Sequence, residues 1–137
     1  MSEVKLARVV LVDDDPFIRS TIESALKSSG FDATAFGNAR ECLAALSVVK
    51  PEIALLDLDL GLGPTGIDLA HAIRKFDQSV GIIFLTTYQD PRFADGRNQL
   101  LPQGSRYLVK SEIENMAQLI SVILQTKHRP YNENINQ

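Results

Sequence analysis

Pro51-Glu52-Ile53-Ala54-Leu55-Leu56-Asp57-Leu58-Asp59 is the stretch from which the rest of the chain is best read. Four apolar residues, Ile53 to Leu56, run together and stop at a carboxylate. A short apolar run without alternation is expected of a strand buried on both faces, as in a parallel sheet. Open α/β sheets place their chemistry just past the carboxyl ends of such strands. Asp57 is therefore expected at the mouth of a site, and what else arrives there decides what the site does.

Upstream, Leu6 to Val12 is apolar apart from Arg8 and reads as the first strand. Asp13, Asp14 and Asp15 follow, then Pro16. Asp15 can cap a helix whose first residue is Pro16, where proline forfeits no hydrogen bond. Ile18, Ile22, Ala25 and Leu26 recur at helical spacing, and Gly30 ends that helix. Phe31 to Phe36 is a short second strand. Asn38 with Glu41 suggests a capped helix with Leu43, Leu46 and Val49 as its apolar face, stopped by Pro51.

Downstream, Gly61, Gly63, Pro64 and Gly66 make a flexible loop, and Leu69, Ile73 and Phe76 mark a third helix. Val80 to Leu85 is a fourth strand ending at Thr86 and Thr87. Residues 88–104 hold Pro91, Gly96 and Pro102 and show poor helical periodicity, so only an irregular fourth helix is expected there. Arg106 to Val109 is a fifth strand ending at Lys110. Ser111 and Glu114 form a capping box for a last helix, with Ile113, Met116, Ile120, Ile123 and Leu124 on its face. Residues 127–137 are polar and read as a linker behind a folded domain of residues 1–126.

Five strands alternating with helices imply parallel strands joined by right-handed crossovers. The common small version is the flavodoxin-like, doubly wound α/β/α fold with strand order 2-1-3-4-5. Strands 1 and 3 are then neighbours, so Asp13, Asp14 and Asp57 meet, with Thr86 and Lys110 ending the next two strands along the same edge.

Composition narrows the function. The chain has 137 residues, enough for one domain with a sizeable core, and a net charge of −3 gives no electrostatic reason for nucleic-acid binding. Cys42 is the only cysteine, which leaves no internal disulfide and no cysteine metal cluster, and its expected role is a small buried hydrophobe. No apolar run approaches the roughly 18 residues of a membrane span, and the N-terminus lacks a signal-peptide pattern. A cytoplasmic domain is the expectation. His71 and His128 have no partner pattern and read as surface residues.

Three carboxylates brought together repel: two charges 4 Å apart interact by about 4 kcal/mol at an effective dielectric near 20. A cation or a proton must offset that cost. Hard oxygen donors select Mg²⁺ or Mn²⁺ over zinc, and Mg²⁺ typically takes one or two carboxylates, several waters and a phosphate oxygen. Lys110 and the Thr86 hydroxyl are suited to phosphoryl oxygens, and a carboxylate can itself be a nucleophile that forms an acyl phosphate. Phosphoryl transfer needs mainly positioning and charge neutralisation. Taken singly, the Asp triplet can be only a helix cap, Asp57 a turn residue, Thr86 structural and Lys110 solvated. Their joint fall at the carboxyl ends of separate strands is what points to chemistry.

With these residues assembled, the chain resembles a response-regulator receiver domain of two-component signalling, over roughly residues 6–126. The resemblance rests on Val12-Asp13-Asp14, Leu55-Leu56-Asp57, Leu85-Thr86-Thr87 and Tyr107-Leu108-Val109-Lys110, in order and near the family's spacings. It implies that Asp57 takes a phosphoryl group from a phosphohistidine on a sensor histidine kinase. Asp13 and Asp14 would hold Mg²⁺, Asp14 more directly, and Asp59 would lend its backbone carbonyl. Thr86 and Lys110 would grip phosphoryl oxygens, and Tyr107 matches the aromatic switch position. The new charge of about −2 would pull on the hydroxyl and the ammonium and shift a packing equilibrium. Asp59 and Tyr88 flank the route of attacking water and would tune the lifetime of the acyl phosphate.

The resemblance also implies an output domain, most often a helix-turn-helix DNA-binding domain that would control transcription, and a possible homodimer through a surface beside the fourth helix. Three departures stand out. Gly61 replaces the usual proline four residues after Asp57, Ser111 replaces the usual cis-bonded proline after Lys110, and residues 88–104 match the family poorly. Three other readings compete. Asp57-Leu58-Asp59 with Gly61 resembles the first motif of haloacid-dehalogenase-type phosphatases, but there the nucleophile strand comes first and the acidic pair last. A flavin-binding flavodoxin would be ill served by three aspartates after strand 1. A phosphorylation-independent binding module would have no use for the complete residue set.

Overall fold

The computed structural model describes residues 4–61, 63–86, 101–110 and 116–128. The chain alternates β1 (Arg8–Val12), α1 (Pro16–Ser28), β2 (Asp32–Phe36), α2 (Ala39–Val49), β3 (Ile53–Asp57), α3 (Gly66–Phe76), β4 (Gly81–Thr86), β5 (Arg106–Val109) and α4 (Met116–His128). The five strands are all parallel, in the order β2-β1-β3-β4-β5. This is the flavodoxin-like sheet expected from the alternation of apolar runs and helical patterns.

The three central strands are buried on both faces, and their side chains alternate between two cores. Val10, Val12, Ala54, Leu56, Ile82 and Phe84 pack with Cys42, Leu46, Leu69 and Ile73 of α2 and α3. Val9, Leu11, Ile53, Leu55, Ile83 and Leu85 pack with Ile22, Leu26, Leu119 and Ile123 of α1 and α4. A period of two with no polar face is what a sheet covered by helices on both sides requires.

Local chemistry places the helix ends. The Asp15 carboxylate accepts from the Phe17 and Ile18 amides, and Pro16 opens α1. Asn38 accepts from the Glu41 amide at the start of α2. Thr65 and Asp68 form a reciprocal capping box on α3, missed in the sequence because the glycines around it read only as a loop.

Several assignments shift. Phe76 is 46% exposed although it falls at helical spacing, because α3 ends there. On α4 Ile123 is buried and Ile120 and Leu124 are partly buried against the same core, as expected. Leu119 and Thr126 join them as fully buried residues that the pattern did not include, and Ile113 and the Met116 side chain lie outside the described residues. That helix runs through His128, two residues past the expected boundary of the domain, and the Lys127 ammonium donates to the Leu6 carbonyl. His71 is exposed and Cys42 is buried, as expected. The capping box at Ser111 and Glu114, the irregular helix, the Lys110–Ser111 peptide, Tyr88 and residues 129–137 of the tail lie outside the described residues. Among the described residues no helix is long and apolar enough to cross a membrane.

Candidate functional site

The register of the sheet assembles the carboxyl edge. Val12 pairs with Leu56, so Asp13 and Asp57 stand at the next level on adjacent strands. Asp57 pairs with Leu85, and Thr86 pairs with Val109, so Thr86 and Lys110 each follow one step further along. Asp13 (0% exposed), Asp57 (7%) and Thr86 (3%) are buried, whereas Asp14 and Asp59 are exposed.

Lys110 joins the two buried carboxylates. Its ammonium donates to Asp13 Oδ2 at 2.7 Å and lies 3.6 Å from Asp57 Oδ2. Asp57 Oδ1 accepts from the backbone amide of Asp59 at 3.2 Å. Asp13 is held at every polar atom. Its Oδ1 accepts from the Asp15 amide at 3.0 Å, its carbonyl accepts from Arg19 Nη1 at 2.7 Å, and its amide donates to the Phe36 carbonyl at 3.2 Å.

Burial pushes the Asp57 carboxyl up to about 7. The Lys110 ammonium pulls against that shift, the Asp13 charge adds to it, the Asp59 amide lowers it and the Asp14 charge raises it again. A buried acid flanked by like charges and one ammonium is the arrangement expected of a functional rather than a structural carboxylate.

One carboxylate oxygen from each of Asp13, Asp14 and Asp57 lies within 4.8 Å of the others. That span is close to the roughly 4 Å between opposite oxygens around an ion with bonds of about 2.1 Å. The donors are all hard oxygens, so the set suits Mg²⁺ or Mn²⁺ better than zinc. Cys42 sits on α2, where burial pushes its thiol up to about 12 and leaves it unreactive.

The loop after β3 is tied down by features the sequence reading did not use. Leu58 and Leu60 are buried, the Leu58 amide donates to the Leu85 carbonyl, and the Gly66 amide donates to the Leu58 carbonyl. Gly66 must be glycine because a Cβ there would lie 2.1 Å from the Asp57 carbonyl oxygen. Gly61 has φ +75°, a conformation closed to proline, so the chain turns differently from one carrying proline at that position. A Cβ on Gly61 would lie 3.5 Å from Asp14 Oδ2, which brings this loop up to the acidic cluster.

Tyr107 is half-buried against the core beneath α2 and α3. It pairs with Phe84, two residues before Thr86, so the ring and the threonine belong to the same face of the sheet. The structure thus brings together Asp13, Asp14, Asp57 and Lys110, with Thr86 and Tyr107 on the adjoining strands. Arg19 was not anticipated. The signal for it was its spacing, four residues after the cap Asp15, which returns it to the same helix face.

Residues 9–124 match the response regulator receiver domain. The chain belongs to the response-regulator receiver family. Curated relatives of the receiver include the DNA-binding response regulator MtrA of Mycolicibacterium smegmatis, 36% identical over 83 residues, covering 61% of this chain and 36% of that protein. Another is the transcriptional regulatory protein AruR of Pseudomonas aeruginosa, 37% identical over 87 residues, covering 61% of this chain and 35% of that protein. The receiver thus spans about a third of the length of these relatives.

Among solved structures, the response regulator TrrA from Thermotoga maritima in complex with Mg²⁺ and BeF superposes with a TM-score of 0.69. Its identity is 27%, over 86% of this chain and 98% of that one. The chemotaxis protein CheY4 of Vibrio cholerae shares the fold, with a TM-score of 0.74 at 24% identity over 87% of this chain and 97% of that one. Membership in this signalling family leaves the phosphatase and flavodoxin readings without support, since the acidic pair arrives on β1 and the Asp57 strand third.

Proposed function

We propose that Asp57 is the phosphoacceptor of this receiver and that its modification switches an output. The observation that carries the reading is the shared ammonium: Lys110 meets both Asp13 and Asp57 beside a third carboxylate, Asp14. Asp57 and Asp14 would hold Mg²⁺ or Mn²⁺ with the Asp59 carbonyl, and Asp13 would support them from behind. When bound, the divalent cation would supply the positive charge that lets a phosphoryl group approach three carboxylates and that favours ionised Asp57.

A carboxylate oxygen of Asp57 attacks the phosphorus of a phosphohistidine. One P–O bond forms, the P–N bond breaks, and the departing imidazole nitrogen takes up a proton. Lys110 donates to a phosphoryl oxygen, and its hold on Asp13 keeps it aimed at the site. Thr86 donates its hydroxyl to another phosphoryl oxygen, and its movement alters the room available to Tyr107 on the same sheet face. Water attack on phosphorus later releases inorganic phosphate and restores the carboxylate. Asp59 and Tyr88, each two residues beyond a site residue, tune that step, so Tyr88→Ala is expected to raise the dephosphorylation rate.

The partners follow from the chemistry and from the relatives. A sensor histidine kinase supplies the phosphoryl group in the cytoplasm. The curated relatives are DNA-binding or transcriptional regulators about three times the length matched here. That supports a receiver that runs to the end of α4 at His128 and acts, through the segment that follows, on a transcriptional output domain. The test is the intact mass after acetyl phosphate with Mg²⁺. Wild type is expected to gain one phosphoryl group with Mg²⁺ and none when EDTA is present from the start, and Asp57→Asn none in either case. An unmodified wild type, or equal modification of both, would overturn the reading.

A further inference from the structure

One cation behind the acidic cluster takes no part in the chemistry above. Arg19 lies in the second turn of α1, and its amide donates to the carbonyl of the cap residue Asp15 at 2.9 Å. Its side chain turns back, and Nη1 donates to the Asp13 carbonyl at 2.7 Å. The guanidinium rests against Gly37, where a Cβ would lie 3.1 Å from Nη1 and 3.6 Å from Cζ.

That contact lands on the peptide joining Asp13 to Asp14. The unit is planar, so a hold on its carbonyl fixes the plane and the position of the Asp14 Cα together. Asp13 itself has three other anchors, to Asp15, Lys110 and Phe36. Asp14 is exposed, and the direction of its carboxylate depends on the backbone that carries it. The planar, permanently charged guanidinium is suited to fixing a carbonyl in this way.

We infer that Arg19 is a positioning residue for divalent-cation binding. By fixing the Asp13–Asp14 peptide, it sets the direction from which Asp14 presents its carboxylate to the site shared with Asp57. The inference rests on the reading of this cluster as a Mg²⁺ or Mn²⁺ site. It makes a prediction opposite in sign to simple electrostatics. Removing a positive charge from near Asp13 and Asp14 would by charge alone strengthen the hold on a cation, whereas losing the positioning contact weakens it.

The experiment is Mn²⁺ titration by electron paramagnetic resonance on wild type, Arg19→Ala and Gly37→Ala, well below each unfolding midpoint. Denaturant unfolding in EDTA is followed in parallel. Gly37→Ala keeps the charge but crowds Nη1, and it carries the test should Arg19→Ala not fold. Arg19→Ala is expected to bind Mn²⁺ about tenfold more weakly, and Gly37→Ala more weakly by a smaller factor. A variant that loses folding stability yet binds Mn²⁺ like wild type, or an Arg19→Ala that binds it more tightly, would overturn the inference. Wild type that binds no Mn²⁺ would overturn the site reading and this inference with it.

Discussion

Strand β5 is flanked by two cations, and its two ends are built on opposite terms. At the carboxyl end, Lys110 lies between two buried carboxylates with a third close by. At the amino end, Arg106 Nη1 donates to the hydroxyl of the buried Thr126, which itself donates to the Val122 carbonyl at 2.7 Å. One end crowds like charges around an ammonium, and the other includes a guanidinium that donates to a buried neutral hydroxyl. The amino end stabilises the docking of α4. The carboxyl end carries a carboxyl group whose ionised form burial disfavours.

The largest expected effect breaks the charged end. Lys110→Ala would leave the Asp13 carboxylate fully buried and without the ammonium that lies 2.7 Å from its Oδ2. Loss of one partner of a buried pair costs about 3–5 kcal/mol. Denaturant unfolding at pH 7.5 would measure it, and the part of the loss that comes through Asp57 should shrink as pH falls below about 7 and that carboxyl protonates. A loss below about 1 kcal/mol would mean that the pair behaves as a surface bridge.

The packing around Thr126 should respond to shape. A Cβ on Gly81 would lie 2.4 Å from Thr126 Cγ2 and 3.1 Å from Ile53 Cδ1. Gly81→Ala is therefore expected to destabilise by about 1–3 kcal/mol through overpacking. Unlike the Lys110 loss, this one should not vary between pH 5 and 8, which the same unfolding curves would show.

A smaller effect sharpens the contrast by its sign. Folded Asp57 has its carboxyl raised to about 7 from an ordinary 3.8. Its contribution is fully present below about pH 4 and is lost as pH rises through 7, because the unfolded chain ionises more readily. Asp57→Asn, neutral throughout, should therefore be more stable than wild type at pH 8 in EDTA, by about 1–2 kcal/mol. Near pH 4 the two should unfold alike. A variant less stable than wild type at pH 8 would show that the Lys110 attraction outweighs the burial.

The same contrast explains what could be read from the sequence. Apolar runs ending in Asp57, Thr86 and Lys110 announce the sheet and the edge where chemistry collects, because burial on both faces leaves no polar alternation. Features that need a tertiary neighbour left no local trace. Gly66 looked like loop composition, yet it lets α3 start against the Asp57 carbonyl. Gly81 and Thr126 are unremarkable singly and become informative only because α4 passes over the start of β4. Leu119 escapes the pattern of α4 because it and Ile120 are equally apolar, and only the direction of the sheet buries Leu119 fully. For Arg19 the spacing from Asp15 marks only the helix face; its target, a backbone carbonyl, leaves no trace in the residue pattern.

The most direct test of the central claim is to locate the modified residue. The protein would be treated with acetyl phosphate and Mg²⁺, reduced with borohydride to trap any acyl phosphate, and digested for peptide mass mapping. The expected result is a single reduced carboxyl at Asp57, with Asp13, Asp14 and Asp59 intact. Reduction at one of those three instead, or at no carboxyl, would contradict the account.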